Sequence, residues 1–192
     1  MPRAYYLAGW GFVVIALFAL SRPQPLLIEP AGTLAPVFAG EEAAWFERVK
    51  PHCNALEVEI TLRQNPPAGS AEGAGFAASC WALAGRIDRA HEAIIALSSE
   101  QRATAAGIVF GVGHPVADMG DDASAGPIMR LVVEYQPWNY MAQYHAGMSY
   151  YVLGEPGFAR EHLTEFLKQY DIDDGWRSNA REVLSRIERG GR

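Results

Sequence analysis

Cysteine is almost absent from this 192-residue chain, which holds only Cys53 and Cys80. Two thiols allow one disulfide and exclude a Cys-x-x-Cys metal or redox motif and a c-type haem attachment site. An oxidising compartment would let them pair, and two buried free thiols fit the sequence equally well. Positive charge is also short: Lys and Arg number 16 against 22 Asp and Glu, for a net charge of −6 and a pI near 5.4. Nucleic acid is excluded as a main partner, because phosphate binding needs clustered bases. Arg177, Arg181, Arg186, Arg189 and Arg192 do gather near the C-terminus. Asp171, Asp173, Asp174, Glu182 and Glu188 are interspersed with them, as on a solvated mixed-charge helix.

Catalytic motifs are missing as well. No Walker-type glycine loop and no His-Glu-x-x-His is present, and Gly111-Val112-Gly113 lacks the strand that a nucleotide-binding turn follows. Asp171-x-Asp173-Asp174-Gly175 opens like a calcium loop but lacks the distal bidentate Glu, so it reads as a helix cap. Asp118, Asp121 and Asp122 read as a solvated acidic turn. The histidines, His52, His91, His114, His145 and His162, show no metal-ligand spacing, although His145 and His162 could approach across a helix hairpin. His52 adjoins Cys53, but neighbouring helical residues point apart. The expectation is a protein that is not an enzyme, with no metal and no cofactor.

What the sequence does have is a long apolar run and a helical pattern. Ala4 to Leu20 is seventeen residues without a charge, near the roughly 17–25 residues that span a bilayer. Tyr5, Tyr6, Trp10, Phe12 and Phe18 supply its aromatic contacts with the lipid bilayer, and Arg3 and Arg22 bracket it. Residues 1–22 are therefore expected to form a single-pass signal-anchor helix. A cleaved signal peptide is the rival, but Ser21-Arg22-Pro23 makes a poor cleavage site. The charge bias places the main domain outside the cytoplasm, periplasmic in a Gram-negative cell. Residues 23–40 form a Pro-rich linker, extended and too apolar for a free tether.

From residue 41 onward Ala-rich amphipathic stretches alternate with Gly, Pro and Asp punctuation, with no strand pattern of useful length. The expected class is all-α. Helices are predicted near 41–49, 52–64, 74–86, 88–98, 101–112, 123–135, 138–153, 157–169 and 175–189, with Asp88, Ser124 and Asp174 as N-caps. Gly85, Gly120 and Gly154 close successive helices 35 and 34 residues apart, and Ala90, Ala125 and Ala159 follow each by five. Gly113 and Gly147 are again 34 apart, and Pro137 ends a unit. The turn Gly permits a sharp reversal and the Ala lets antiparallel helices approach. The Gly inside each first helix makes room for a large side chain, such as Tyr150.

This register resembles the tetratricopeptide repeat, whose unit is roughly 34 residues long. Residues 140–173 match best, through Gly147, Tyr150, Gly154, Ala159 and Phe166. Residues 106–139 keep Gly113, Gly120, Ala125 and Pro137 but have Val116 for the usual aromatic, and Pro115 should kink their first helix. Residues 71–105 keep Trp81, Gly85 and Ala90 with Ala78 for the early Gly. Residues 41–70, with Ala55 and Pro67, form a degenerate leading unit. Residues 174–192 form a C-terminal cap, with Val183, Leu184 and Ile187 facing the last repeat.

The resemblance implies an α-solenoid of three to four hairpins in residues 41–192, whose first helices line a groove. Groove positions fall on Phe110, His114, Met141, Tyr144, Met148 and Tyr151. Aromatic and Met side chains suit an amphipathic partner, and they equally suit core filling between helices. The expected function is a scaffold or accessory subunit that binds other membrane protein subunits, for example of a respiratory or photosynthetic assembly. The alternative is an envelope chaperone or assembly factor that holds client polypeptides transiently.

Overall fold

Three glycines set the architecture. Gly85, Gly120 and Gly154 take φ of 72°, 76° and 78°, the left-handed region that a side chain disfavours. Each ends a helix with the same pair of hydrogen bonds. Arg86 N donates to Trp81 O and Gly85 N to Ala82 O; Asp121 and Gly120 repeat this on Val116 and Ala117, and Glu155 and Gly154 on Tyr150 and Tyr151. This is the Schellman closure, which satisfies the last carbonyls of a helix and reverses the chain at once.

The computed structural model describes residues 38–190. Among these residues the chain is all-α: α1 (Glu41–Val49), a 3-10 turn (Lys50–His52), α2 (Val58–Gln64), α3 (Ala71–Leu83), α4 (Ile87–Ile95), α5 (Ser99–Asp118), α6 (Asp122–Tyr135), α7 (Tyr140–Val152), α8 (Pro156–Gln169) and α9 (Gly175–Glu188). Helices α3 and α4, α5 and α6, and α7 and α8 pack as hairpins. The first helices also pack side by side, α3 on α5 and α5 on α7, while α9 closes on α7 and α8.

The predicted anchor over residues 1–22, with Tyr5, Tyr6, Trp10, Phe12 and Phe18, lies outside the described residues, as does most of the linker. Among the described residues no helix is long and apolar enough to cross a membrane.

Several local expectations need correction. The helix expected over 52–64 is broken, because the Asn54 side chain accepts from Leu56 N and Glu57 N and holds a turn there. Asp88 lies in the first turn of α4, whose cap residue is Arg86. Asp121 caps α6 and accepts from Ser124 N, so Ser124 is inside the helix that it was expected to cap. Asp174 caps α9 as predicted, accepting from Trp176 N and Arg177 N. Helix α5 runs through Pro115 to Asp118, six residues beyond its expected end at 112.

The small residues have the expected role with a different occupant. A Cβ on Gly147 would lie 2.5 Å from Leu163 Cγ, and one on Gly113 2.5 Å from Ile128 Cγ2. Tyr150 instead packs on Phe158 and His162. The space is thus filled from the second helix of the same hairpin. Ile94, Ile128 and Leu163, which are 34 and 35 residues apart, are fully buried, as are Ala90, Ala125 and Ala159.

Among the described residues the apolar interior forms three clusters. One joins α1, α2 and α3 around Phe46, Val58, Phe76 and the cysteines; the second fills the middle hairpins around Ile94, Val109, Met129 and Val132; the third joins α7, α8 and α9 around Leu163, Phe166 and Val183. Cys53 and Cys80 form a disulfide with their Cα atoms 4.8 Å apart, which resolves the pairing that the sequence left open.

Candidate functional site

His114 and Asp118 stand four residues apart on α5, so they share one face a single turn apart. The side-by-side packing of α5 and α7 brings His145 to them. Asp118 Oδ1 lies 3.8 Å from His114 Nε2 and 3.9 Å from His145 Nε2. One ligating atom from each of the three residues falls within 4.8 Å of the others. The side chains are 23%, 32% and 11% exposed for His114, Asp118 and His145, so the cluster sits at the edge of the interior with one open side.

Both imidazole Nε2 atoms are buried and have no hydrogen-bond partner. A buried polar atom left unpaired costs about 1–3 kcal/mol, and here two converge on one carboxylate. Burial pushes the His145 imidazole down to about 4; the neighbouring His114 adds to the fall and Asp118 opposes it. At neutral pH His145 is therefore uncharged, with one ring nitrogen free to accept or ligate.

These rings belong to a longer stripe. Phe110 stacks on His114 at 5.1 Å, His114 meets His145 edge-on at 4.8 Å, and Tyr144 meets His145 at 5.6 Å. Trp176 of α9 stacks on Tyr144 at 5.2 Å and stands 6.2 Å from His145. The stripe thus crosses α5, α7 and α9 without a break, and Trp176 is 39% exposed.

The groove residues expected from sequence divide into two sets. Phe110, His114 and Tyr144 lie in the stripe, joined by His145 and Trp176, which sequence reasoning did not place there. Met148 and Tyr151 pack against the α8–α9 core, as Tyr144 also does through Phe166 at 5.1 Å. The Asn179 amide of α9 donates to Tyr144 Oη at 2.9 Å and approaches Met148 Sδ at 3.8 Å, so the C-terminal helix fills this end of the expected groove. Met141 is half-buried on α7.

The remaining histidines go elsewhere. His162 does not approach His145; its Nδ1 pairs with Gln143 Oε1 at 2.8 Å. His52 pairs with Glu57 at 3.3 Å and His91 with Glu134 at 2.9 Å. Asp118 is exposed, as expected of a solvated acidic turn, and in addition faces two imidazoles. The His-x-x-x-Asp spacing on a helix was a usable signal for half of the cluster. His145 lies 31 residues beyond His114 and corresponds to Gly111 in the repeat register, one turn from His114. Only the lateral packing of like helices unites them.

Comparison with protein-family models, curated proteins and solved structures finds no match for this chain. The functional reading therefore stands on the stripe, its imidazole–carboxylate cluster and the repeat register.

Proposed function

We propose that this protein is a non-catalytic, membrane-anchored scaffold whose tetratricopeptide-like hairpins hold a polypeptide of a membrane protein complex against the Phe110–Trp176 stripe. The observation that carries the reading is the unbroken series of ring contacts across three helices, made by side chains that remain partly open to solvent. Aromatic side chains bury large area with little loss of rotamer freedom, and they dominate the energetics of docking surfaces. The 34- and 35-residue register of Gly, Ala and Ile/Leu positions supports the repeat assignment. The Cys53–Cys80 disulfide supports an extracytoplasmic domain, because such bonds persist in oxidising compartments. The apolar run from Ala4 to Leu20 supports anchoring, and confinement beside a partner raises effective concentration so that a modest interface suffices.

The test is purification of the full chain from native membranes in mild detergent, with quantitative mass spectrometry, beside a Phe110→Ala/Trp176→Ala variant. One stoichiometric set of partners, lost from the variant, is expected. Partners retained unchanged by the variant, or none at all, would overturn the docking surface. A shifting, substoichiometric population would favour the transient holding of client chains.

A further inference from the structure

We propose that His114, Asp118 and His145 bind one divalent first-row transition cation, zinc being the best match to the ligand set. Two imidazole nitrogens, which are borderline donors, with one carboxylate oxygen suit zinc, nickel, copper or ferrous iron. Calcium and magnesium prefer all-oxygen shells and are disfavoured.

The geometry is close to what such an ion requires. Zinc bonds of about 2.0–2.2 Å at a tetrahedral angle put ligand atoms roughly 3.3–3.6 Å apart. The carboxylate-to-imidazole distances are 3.8 and 3.9 Å, and the whole set lies within 4.8 Å. Contraction by a few tenths of an ångström on two edges, and by no more than about 1.5 Å on the third, completes the site. Small rotations of His114 and Asp118, the two more exposed members, supply it.

Two further features point the same way. The Nε2 atoms of both histidines are buried and partnerless, and one cation between them satisfies both together. The ring walls then hold the imidazoles in place: Phe110 stacks behind His114, and Tyr144 and Trp176 flank His145. His114 and Asp118 come from one helix and His145 from its neighbour, so the ion clamps two consecutive hairpins. Three protein ligands leave a fourth position for water, as in open zinc sites. This inference is independent of the docking proposal, since it requires no partner.

The experiment uses the full chain, purified in mild detergent without a polyhistidine tag and stripped with chelator. Cobalt(II) alone is titrated in and followed by its visible absorption, and zinc is then added in competition. One equivalent per chain, with the intense bands of a low-coordinate cobalt site that zinc abolishes, is expected. His114→Gln, Asp118→Asn and His145→Asn should each weaken binding by more than the roughly 10–100-fold that follows loss of an outer partner. His52→Gln should bind as the parent does. Asp118→Asn is isosteric and partly exposed, so with an unchanged circular dichroism spectrum it separates ligand loss from unfolding. Absence of saturation at one equivalent, or unchanged binding by Asp118→Asn and His114→Gln, would overturn the site.

Discussion

The two ends of the hairpin array are closed by different chemistry. At the N-terminal end α1 and α2 are nine and seven residues long, too short to hold helical structure alone. They are fastened by the Cys53–Cys80 disulfide, by the stacking of Phe46 on Phe76 at 5.0 Å, and by the Ser70 hydroxyl donating to Glu42 at 3.2 Å. Leu56, between them, is 94% exposed. At the C-terminal end α9 is fourteen residues long and buries Ala180, Val183 and Ile187. Its start is held by polar groups. Asp174 accepts from two backbone N–H groups and from Tyr170 Oη at 2.5 Å, and the Arg177 guanidinium donates to the carbonyls of Leu167 and Tyr170. A stack of hairpins leaves an apolar face at each end. Here the short helices are tied covalently over that face, and the longer one is held by its cap.

The largest effect should come from breaking the tie. The disulfide closes a loop with a sequence separation of 27 residues, for which loop-closure entropy predicts about 3.5 kcal/mol of stability. In a Cys53→Ala/Cys80→Ala variant, or in the reduced protein, the N-terminal cap should lose about that much and melt in guanidinium ahead of the hairpins. Hydrogen exchange should rise in residues 41–64 while α5 to α8 keep their protection. Uniform loss of protection along the chain would show that the N-terminal cap is one cooperative unit with the hairpins, and would erase the contrast between the ends.

Breaking the polar cap should do less. Asp174→Ala removes an acceptor from Trp176 N and Arg177 N, and removal of such a cap costs about 0.5–2 kcal/mol. It also frees the Tyr170 hydroxyl. The hydrogen bond to Asp174 now pushes that phenol up to about 12 and holds the Asp174 carboxyl below its ordinary range. In Asp174→Ala the Tyr170 phenol should therefore titrate at lower pH, read from its ultraviolet absorption. An unshifted titration would mean that the Tyr170–Asp174 bond does not operate in solution.

The turn positions were legible in the sequence because their requirement is local. A residue that must adopt positive φ at the end of a helix is nearly always Gly, so Gly85, Gly120 and Gly154 mark the reversals and the 34- and 35-residue period follows. The fully buried alanines were legible for a similar reason. What fills the space beside Gly147 was not. The sequence offers Tyr150 one turn away, but the side chain that enters is Leu163, which only the hairpin geometry brings there. The break between the 3-10 turn and α2 depends on one Asn54 side chain, and helical periodicity carries across it unseen. The stripe was half visible. Phe110, His114 and Tyr144 were expected together from the 34-residue spacing, whereas Trp176 lies on α9 beyond the hairpins and His145 needs the lateral offset between α5 and α7. The disulfide was undecidable because pairing depends on a Cα separation that spacing along the chain does not determine.

The smallest effect is a slope rather than a loss, and it separates the two ends by a different agent. His162 of α8 is buried, its Nδ1 donating to Gln143 Oε1 while its Nε2 has no partner. A proton on Nε2 would be a buried, unpaired N–H beside the Tyr150 ring. Burial therefore lowers the His162 pKa; Glu161 opposes the shift and Arg130 reinforces it, with Arg160, Glu165 and Lys168 lining the same surface groove. The unfolded chain then takes up this proton first as pH falls below the ordinary histidine value of 6.5. Stability is complete above that value, declines as pH falls toward the lowered folded value, and levels off below it. His145, lowered by its own burial, adds a slope of the same sign in metal-free protein. His162→Asn keeps a donor for Gln143 and removes the titration, so its stability should fall less steeply between pH 7 and pH 5 than the parent's. The disulfide variant should keep the parent's slope, because the N-terminal cluster is built of apolar side chains and the cystine. Equal slopes in parent and His162→Asn would place the acid sensitivity elsewhere, and a flattened slope in the disulfide variant would couple the two ends.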